Sequence, residues 1–359
     1  MLGGLAIVVG FGVGVLVSSP ASPPPASPPS PAHTAAVVRA GAEPPRASAS
    51  AVQPAARSGH AGDQADAGLG DAGSTVATTH PPADTVQRLV AAQRAALAKL
   101  DRQALAGSLS PTVFGFGIDA SEVAEGRDAV AAQLVRDLGE PPAGGFTVQS
   151  KALAIAEHRN SAWIAEELAV AAAGRAPRRL AVTQLAVVLD GRWSVVALHW
   201  AQPVDDATAE RRAILGTLPS PRPIADQHDG SDELDRVVRA AFASRAGFVE
   251  ARSQRPDAFN VGSGGERGHG GDAIKRLFGK LKAQIRLRGG ARVVAGSAWD
   301  PAQRTDPWIG WSAVNVDFVS KTRAATEVTQ TMRVLAIWLK DESGWKIVQT
   351  QWSNGGPIH

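Results

Sequence analysis

The sequence of 359 residues contains no cysteine and no tyrosine. Without cysteine, the chain has no disulfide, no thiolate nucleophile and no cysteine-ligated metal site. Without tyrosine, every mechanism that needs a phenol is excluded. Charge of one sign is not in large excess either, with 37 Lys and Arg against 34 Asp and Glu, and we predict no specific binding of nucleic acid.

Aromatic residues are absent between residues 18 and 82, where half of the 24 prolines lie. Such a segment cannot bury enough apolar surface to offset its ordering entropy, so we predict a disordered Pro/Ala/Ser/Gly-rich linker over 18–82. Charge is absent before Arg39, and Leu2 to Val17 is an uninterrupted run of apolar residues and glycine. This run predicts a secretory signal or membrane anchor over 1–17 and an extracytoplasmic protein, either membrane-tethered or secreted.

The rest of the chain contains one pattern twice, at a spacing of about 145 to 152 residues. Its markers are a phenylalanine twelve residues before a glycine that opens an amphipathic stretch, a central tryptophan, and two tryptophans seven residues apart. The members of the pairs are Phe114 and Phe259, Gly126 and Gly271, Trp163 and Trp311, Trp193 and Trp345, and Trp200 and Trp352. The same order of these markers in both halves indicates a duplicated domain, over 83–204 and 231–359, with a linker over 205–230.

Each copy begins with helical periodicity and continues as strands. The apolar stripe from Val86 to Leu100 is interrupted only at Gln93, and Leu234 to Phe242 has the same period. In the first copy, runs rich in Val, Leu, Ala and Trp predict strands over 146–156, 162–171, 179–190 and 193–202. Helices followed by an antiparallel meander predict an α+β domain in which a curved sheet wraps its own helices.

Three groups of residues in the first copy are typical of one protein family. They are the string from Phe114 through Glu122 to Gly126-Arg127-Asp128-Ala129-Val130, the central Trp163, and Gly191-Arg192-Trp193 with His199. This pattern resembles a SnoaL-like domain of the nuclear transport factor 2-like superfamily over most of 84–204. The second copy resembles it more weakly over 231–356. The resemblance implies two tandem cone-shaped domains, each with N-terminal helices packed in a curved antiparallel sheet around a pocket. The two copies are expected to pack as an internal pseudo-dimer, with a homo-oligomer as the alternative.

The superfamily includes ketosteroid isomerases, polyketide cyclases and dehydratases, whose chemistry needs a base in an apolar cavity. In this sequence the candidates for a catalytic base are His199 and Asp119, with Glu167 as the partner of His199. Strand alternation counted from Trp193 predicts that Val195, Ala197 and His199 share one face and line the cavity. A core or rim position for His199, a turn role for Asp119 and a solvated edge for Glu167 are the alternatives.

Strand alternation also places Trp163 and Glu167 on one face of a neighbouring strand, so Trp163, Glu167 and His199 are predicted to line the pocket. Asn315 and Gln351 are at the matching positions of the second copy. Asn315 and Gln351 are polar but cannot act as bases near neutral pH. No dinucleotide fingerprint, phosphate loop or helical His-Glu-x-x-His motif is present, so we predict no cofactor and no metal site.

The leading hypothesis for function is a non-catalytic protein that binds a small apolar ligand or a protein partner. An isomerase, cyclase or dehydratase without a tyrosine donor is the alternative, and a scaffold with filled pockets is a third class. Residues 231–359 also carry 19 Lys and Arg against 13 Asp and Glu. A short helix bearing Lys275, Arg276, Lys280 and Lys282 is therefore a candidate surface for an anionic partner, with a plain solvated face as the alternative.

Overall fold

The computed structural model describes residues 85–140, 145–280, 283–300, 306–321 and 327–356. The predicted signal or anchor segment over 1–17 and the predicted linker over 18–82 lie outside the described residues. Within the described ranges, no helix combines the length and the apolar character needed to cross a membrane.

The first domain consists of three helices and six strands. In chain order they are α1 (Val86–Lys99), α2 (Arg102–Gly107), β1 (Leu109–Phe116), β2 (Val123–Glu125), α3 (Arg127–Leu138), β3 (Thr147–His158), β4 (Ser161–Ala171), β5 (Arg178–Leu189) and β6 (Arg192–Ala201). The strands form one sheet in the order β2-β1-β6-β5-β4-β3. Strands β3 to β6 are the predicted antiparallel meander, whereas β1 joins β6 in parallel.

The second domain repeats this order of elements. After α4 (Asp206–Ile214), it comprises β7 (Gln227–Asp229), α5 (Asp232–Phe242), α6 (Arg245–Ala251), β8 (Phe259–Val261), β9 (Arg267–His269), α7 (Gly271–Lys280), β10 (Gln284–Ala295), β11 (Ile309–Lys321), β12 (Glu327–Asp341) and β13 (Gly344–Ser353). Its sheet runs β9-β8-β13-β12-β11-β10-β7, which is the order of the first sheet with β7 added at the end. The chain therefore folds as two tandem α+β domains.

Side-chain caps define where the helices begin. Thr85 and Ser231 precede the first helix of each domain, and their hydroxyl oxygens accept the backbone N–H groups of Arg88 and Leu234 at 3.3 and 3.1 Å. These caps satisfy backbone donors that have no partner within the first helical turn. Both helices turn an apolar stripe toward their sheet, which fixes the helical layer on one face of each domain.

A glycine with positive φ introduces the third helix of each domain. Gly126 has φ +87° and donates its N–H to the carbonyl of Val113, and Gly270 has φ +83° and donates to the carbonyl of Ala258. Glycine takes this conformation without the steric penalty of a Cβ atom. The structural counterpart of Gly126 is therefore Gly270 rather than Gly271, and Asp128 and Asp272 both lie in the first turn of the helix that follows.

The two sheets share an irregularity at the same place. The register between β5 and β6 shifts between Leu185 and Ala186, and the register between β12 and β13 shifts between Ile337 and Trp338. Each shift leaves one residue of the last strand without a partner in the ladder. A bulge of this kind changes which face the following side chains occupy.

Buried side chains form three layers. One layer lies between the helices and the sheet of the first domain, and a second lies at the same place in the second domain. The third layer is made by the opposite faces of the two sheets, which pack against each other through Trp163, Leu185, Trp311 and Ile337. We call these layers the first interior, the second interior and the interface.

Candidate functional site

A cavity of about 20 Å³ lies in the first interior, which is enough for about one water molecule. Its polar lining comes from α1, β4 and β5, which contribute Gln93, Arg94, Glu166 and Gln184. Its apolar lining consists of Leu97, Leu105, Leu134, Leu168, Val182, Leu198 and Trp200. Polar groups converging in an apolar enclosure are the usual composition of a small-molecule site, but this volume admits a ligand larger than water only if a lining side chain moves.

Glu166 places a carboxylate against this cavity. The side chain is only 3% exposed, and its Oε1 atom lies 2.7 Å from Nη1 of Arg94. The second carboxylate oxygen has no hydrogen-bond partner among the described residues. Arg94 is 27% exposed, so the pair joins a buried anion to a cation on the solvent side of the cavity.

Gln93 presents a hydrogen-bond acceptor of fixed identity. Its Nε2 donates to Ser108 Oγ at 3.1 Å, and the Ser108 hydroxyl donates in turn to the carbonyl of Leu105 at 2.7 Å. Because the serine proton is already committed, Ser108 accepts from the amide nitrogen, which determines the amide orientation. The Gln93 Oε1 atom is buried without a partner in the described structure.

Two further polar atoms around the cavity are unpaired. They are Oε1 of Gln184 and Nε1 of Trp200, from side chains that are 7% and 1% exposed. Buried polar groups nearly always have hydrogen-bond partners, so a ligand or water in the cavity can supply the missing bonds. Nε1 of Trp352, the counterpart of Trp200 in the second interior, is unpaired as well.

The second interior has the same frame but a different filling. Burial matches Val86 and Val90 of α1 with Leu234 and Val238 of α5, so Ala241 and Phe242 occupy the positions of Gln93 and Arg94. The strand registers match Val314 with Glu166 and Ala336 with Gln184. Counting from the start of each helix matches Phe248 with Leu105 and Phe278 with Leu134.

Aromatic rings fill the space between these positions in the second domain. The ring of Phe248 lies 4.6 Å from that of Phe278 and 5.3 Å from that of Trp352, centroid to centroid. Contacts at these distances are close-packed edge-to-face arrangements. The second interior is therefore apolar at all four positions where the first interior is polar.

His199 lies in the interface rather than at the cavity. It is fully buried, its Nε2 atom is 2.9 Å from Ser353 Oγ, and its ring centroid is 5.1 Å from that of Phe116. Burial, with the nearby charge of Arg333 as a smaller cause, holds the pKa of His199 well below its usual value. His199 is thus neutral and enclosed between the two domains.

The bulge in β6 explains why strand alternation misplaced His199. Trp193 and Val195 point into the first interior, but Val196 and Ala197 both belong to the interface. After this irregularity, Leu198 and Trp200 return to the interior. The prediction that Val195, Ala197 and His199 share one face is therefore wrong, because one unpaired residue inverts the alternation.

Glu167 does not meet His199. Its Oε1 lies 2.9 Å from Arg179 Nε and its Oε2 lies 3.7 Å from Arg267 Nε, so the carboxylate is clamped by arginines of both domains. The neighbouring Glu166 points the other way, into the first interior. The pair is therefore not a solvated edge: Glu167 contributes to the contact between domains, and Glu166 to the cavity.

The other predicted pocket residues also lie at contacts between segments. Trp163 Nε1 donates to the carbonyl of Asp257 at 2.9 Å, and Gln351 Nε2 donates to the carbonyl of Ala181 at 3.0 Å. Asn315 Nδ2 donates to the carbonyl of Arg222 at 2.8 Å. The cavity lining includes none of these side chains, and their roles as ligand-binding residues stay predictions.

Asp119 lies in a turn that receives an arginine from the second domain. Its Oδ1 accepts the backbone N–H and the hydroxyl of Ser121, each at 2.8 Å. Its carbonyl accepts from Arg333, which also donates to the carbonyl of Gly117 at 2.8 Å. Burial lowers the pKa of Arg333 to about 10. Its guanidinium binds this loop by donating hydrogen bonds to backbone carbonyls rather than to a carboxylate.

An acidic pair flanks the same loop. The Ile118 N–H donates to Asp137 Oδ2 at 3.2 Å, and Glu122 lies beside that carboxyl group. Burial and the nearby Glu122 raise the pKa of Asp137 to about 7. The Asp137 carboxyl group is therefore protonated below about pH 7 and ionised above it.

The structure describes only part of the basic cluster predicted for an anionic partner. Lys275 and Arg276 are exposed on α7, whose Ile274 and Phe278 are buried. Lys282 lies outside the described residues, as does the side chain of Lys280. Binding of an anionic surface stays a prediction.

Sequence reasoning missed the residues that line the cavity. The signal for one of them was available, because Gln93 interrupts an otherwise apolar helical stripe. Arg94 and Glu166 gave no such signal, since they are 72 positions apart in the sequence and meet only in the fold. In the described ranges, no group of three or more acidic or histidine side chains is arranged to hold a metal ion.

Residues 86–205 match the SnoaL-like domain family. The match covers the first domain, and no curated protein matches the chain. This family match agrees with the resemblance found for the first copy. It does not extend to the second copy, whose assignment depends on the sequence repeat and on the strand order.

Solved structures with a similar fold include a nuclear transport factor 2-like protein of unknown function from Pseudomonas putida. It is 15% identical, with 34% of this chain and 88% of that chain covered at a TM-score of 0.32. A putative dehydratase of the same family from Streptomyces avermitilis is 11% identical, with 33% and 95% covered at 0.30. A putative ketosteroid isomerase from Parabacteroides distasonis is 17% identical, with 35% and 92% covered at 0.29.

Proposed function

We propose that this chain is a non-catalytic binding protein whose first domain holds a small molecule in the first interior. The observation that carries this proposal is the convergence of Gln93, Arg94, Glu166 and Gln184 on one cavity. All four are replaced by apolar residues in the second domain. A fold that packs its interior with Ala, Phe and Val in one copy does not need four polar groups there in the other for stability.

The second domain acts as the structural partner of the first in this proposal, as a divergent SnoaL-like copy. Its interior is filled, and its sheet covers the outer face of the first sheet. Gln349 Nε2 bridges the domains by donating to the carbonyl of Ile164 at 2.7 Å and to Thr183 Oγ1 at 3.0 Å. These contacts fall on β4 and β5, the strands that carry Glu166 and Gln184.

The location of the protein is a separate part of the proposal. The apolar run from Leu2 to Val17 supports export, with the binding domains held outside the cytoplasm. Alkaline phosphatase fused after residue 84 should be active only if this segment is exported, and an inactive fusion of normal abundance would refute export.

Filling the cavity tests the binding function. Leu134→Phe introduces the residue found at the matching position of the second domain, Phe278. Native mass spectrometry of the full chain, followed by a fragment screen using ligand-observed NMR, should detect ligands for the original protein. The Leu134→Phe protein should lose them, because its ring occupies the cavity.

The matched control is the reverse change in the other domain. Phe278→Leu loosens the second interior but leaves the first cavity intact, so its ligands should be those of the original protein. Ligands that survive Leu134→Phe would show that the binding site lies elsewhere. An original protein that binds nothing in the screen would favour a scaffold.

A further inference from the structure

We infer that the ligand of the first interior is a small organic cation bearing N–H donors, such as an alkylammonium or guanidinium ion, which replaces Arg94 on Glu166. This inference rests on the proposed function and adds the chemical class of the ligand. It depends on the balance of donors and acceptors around the cavity, on the position of Arg94 and on the shape of the enclosure.

Acceptors predominate among the cavity atoms whose identity is fixed. Gln93 Oε1 is an acceptor because Ser108 fixes the orientation of the amide, and the second oxygen of Glu166 is an acceptor because it belongs to a carboxylate. The indole Nε1 of Trp200 is the unpaired donor. A ligand that satisfies the first two atoms must itself donate hydrogen bonds.

Arg94 occupies the place that such a ligand would take. Its guanidinium contacts the buried carboxylate at 2.7 Å, yet the side chain remains 27% exposed while Glu166 is 3% exposed. A long flexible side chain at the solvent boundary can turn outward and recover its hydration, whereas Glu166 cannot leave the interior. The pair is therefore an internal cation held on a fixed buried anion.

The enclosure suits a cation of a few heavy atoms. The cavity of about 20 Å³ gains the space of one guanidinium group when Arg94 turns outward. Leucine and valine side chains then surround an alkyl portion, and Trp200 adds an aromatic wall that favours a positive charge. A large apolar molecule does not fit these walls, so the inference replaces the small apolar ligand predicted from the sequence by a small charged one.

The second domain supplies an internal comparison. Phe242, Val314 and Ala336 replace the arginine, the carboxylate and one amide, so the acceptors and the displaceable cation are absent together from its interior.

The test uses n-propylammonium, with propionate and 1-propanol as isosteric probes. The full-length protein is labelled with ¹⁵N, and the indole N–H signal of Trp200 is assigned by Trp200→Phe. Propylammonium should shift this signal in a saturable manner, and the other two probes should not. Glu166→Gln should weaken propylammonium binding by about tenfold or more, because a charge-assisted hydrogen bond is lost.

Arg94→Gln should have the opposite effect and tighten propylammonium binding by about fivefold or more, since it removes the internal competitor. The double variant Arg94→Gln/Glu166→Gln leaves no unpaired buried charge, and it should fold and bind no cation. Arg179→Gln removes a comparable ion pair, with Glu167 at the interface, and should leave the affinity unchanged.

Other results would overturn the inference in recognisable ways. Binding of propionate that is lost in Arg94→Gln would make the ligand an anion, and equal binding of propanol by the original protein and Glu166→Gln would make it neutral. If the fragment screen yields ligands sensitive to Leu134→Phe but none is a cation, only the inference fails. If it yields no ligand at all, the proposed function fails with it.

Discussion

The two interiors of this protein are enclosed by the same arrangement of helices and strands, but one is lined by polar side chains and the other is filled by apolar ones. In the first, a buried carboxylate, an arginine and two glutamines surround a cavity; in the second, phenylalanines and Trp352 pack against each other. The strand order and the bulge in the last meander strand are shared. The frame is therefore compatible with either filling, and the polar groups of the first interior are a property of that copy rather than of the fold.

The interface shows a second asymmetry at matched positions. His199 and Gln351 correspond through the register of the final strands, and both are fully buried. Gln351 donates to a backbone carbonyl across the interface, whereas His199 shares a hydrogen bond with Ser353 beside Arg333. At this matched pair of positions, only the first domain therefore carries a group that can titrate.

The largest expected effect comes from truncating the packed side. Phe278→Ala should lower the free energy of unfolding by about 4 kcal/mol, because it leaves a cavity among Phe248 and Trp352 that cannot collapse. Leu134→Ala, at the matching position beside the existing cavity, should cost about 2 to 3 kcal/mol. Urea denaturation of both variants measures the difference. Equal losses would show that the two interiors are equally well packed.

A smaller difference in the free energy of unfolding is expected between variants of Arg94 and of Glu166, the two members of the ion pair. Arg94→Leu should lower the free energy of unfolding by about 3 kcal/mol, because it leaves Glu166 buried without a cation. Glu166→Val introduces the residue of the second domain and should be close to neutral, since Arg94 can reach water. Thermal and urea denaturation would report this asymmetry, and a larger loss in Glu166→Val would contradict it.

The smallest effect concerns the histidine of the interface. Because the pKa of His199 is lowered in the folded protein, the unfolded chain binds more protons below about pH 6.5. Stability should therefore fall as pH decreases from about 6.5, with a slope of up to about 1.4 kcal/mol per pH unit from this residue. The loss should end once the pH is below the folded pKa.

His199→Gln introduces the residue that occupies the matching position in the second domain, and it removes the titration. Urea denaturation at pH 7.5 and at pH 5 should therefore show a smaller difference for the variant than for the original protein. An unchanged difference would assign the acid sensitivity to other groups.

Regular elements were predictable because their signals are local. The stripe from Val86 predicts α1, and the strand runs over 146–156 and 162–171 fall within two residues of β3 and β4. The tryptophan spacing also predicts a duplication, and the two sheets have the same strand order apart from β7. The helical and strand patterns repeat every few residues, so they can be recognised without knowledge of what the element packs against.

The cavity and the interface were not predictable in the same way. His199 was assigned to the wrong face because a bulge at Val196 leaves no pattern in the sequence, and one extra residue exchanges the two faces of a strand. Glu166 and Glu167 look alike in the sequence, yet they project into different layers and meet arginines of different elements.

The sequence by itself determined the composition, the repeat, the helical and strand periods and the resemblance to a SnoaL-like domain. Only the tertiary structure decided which polar side chains face the first interior, which face the interface, and that Arg94 reaches Glu166. The reason is that periodicity records how a side chain alternates along its own element. The partner of a buried charge is set by the register and packing of elements distant in the chain.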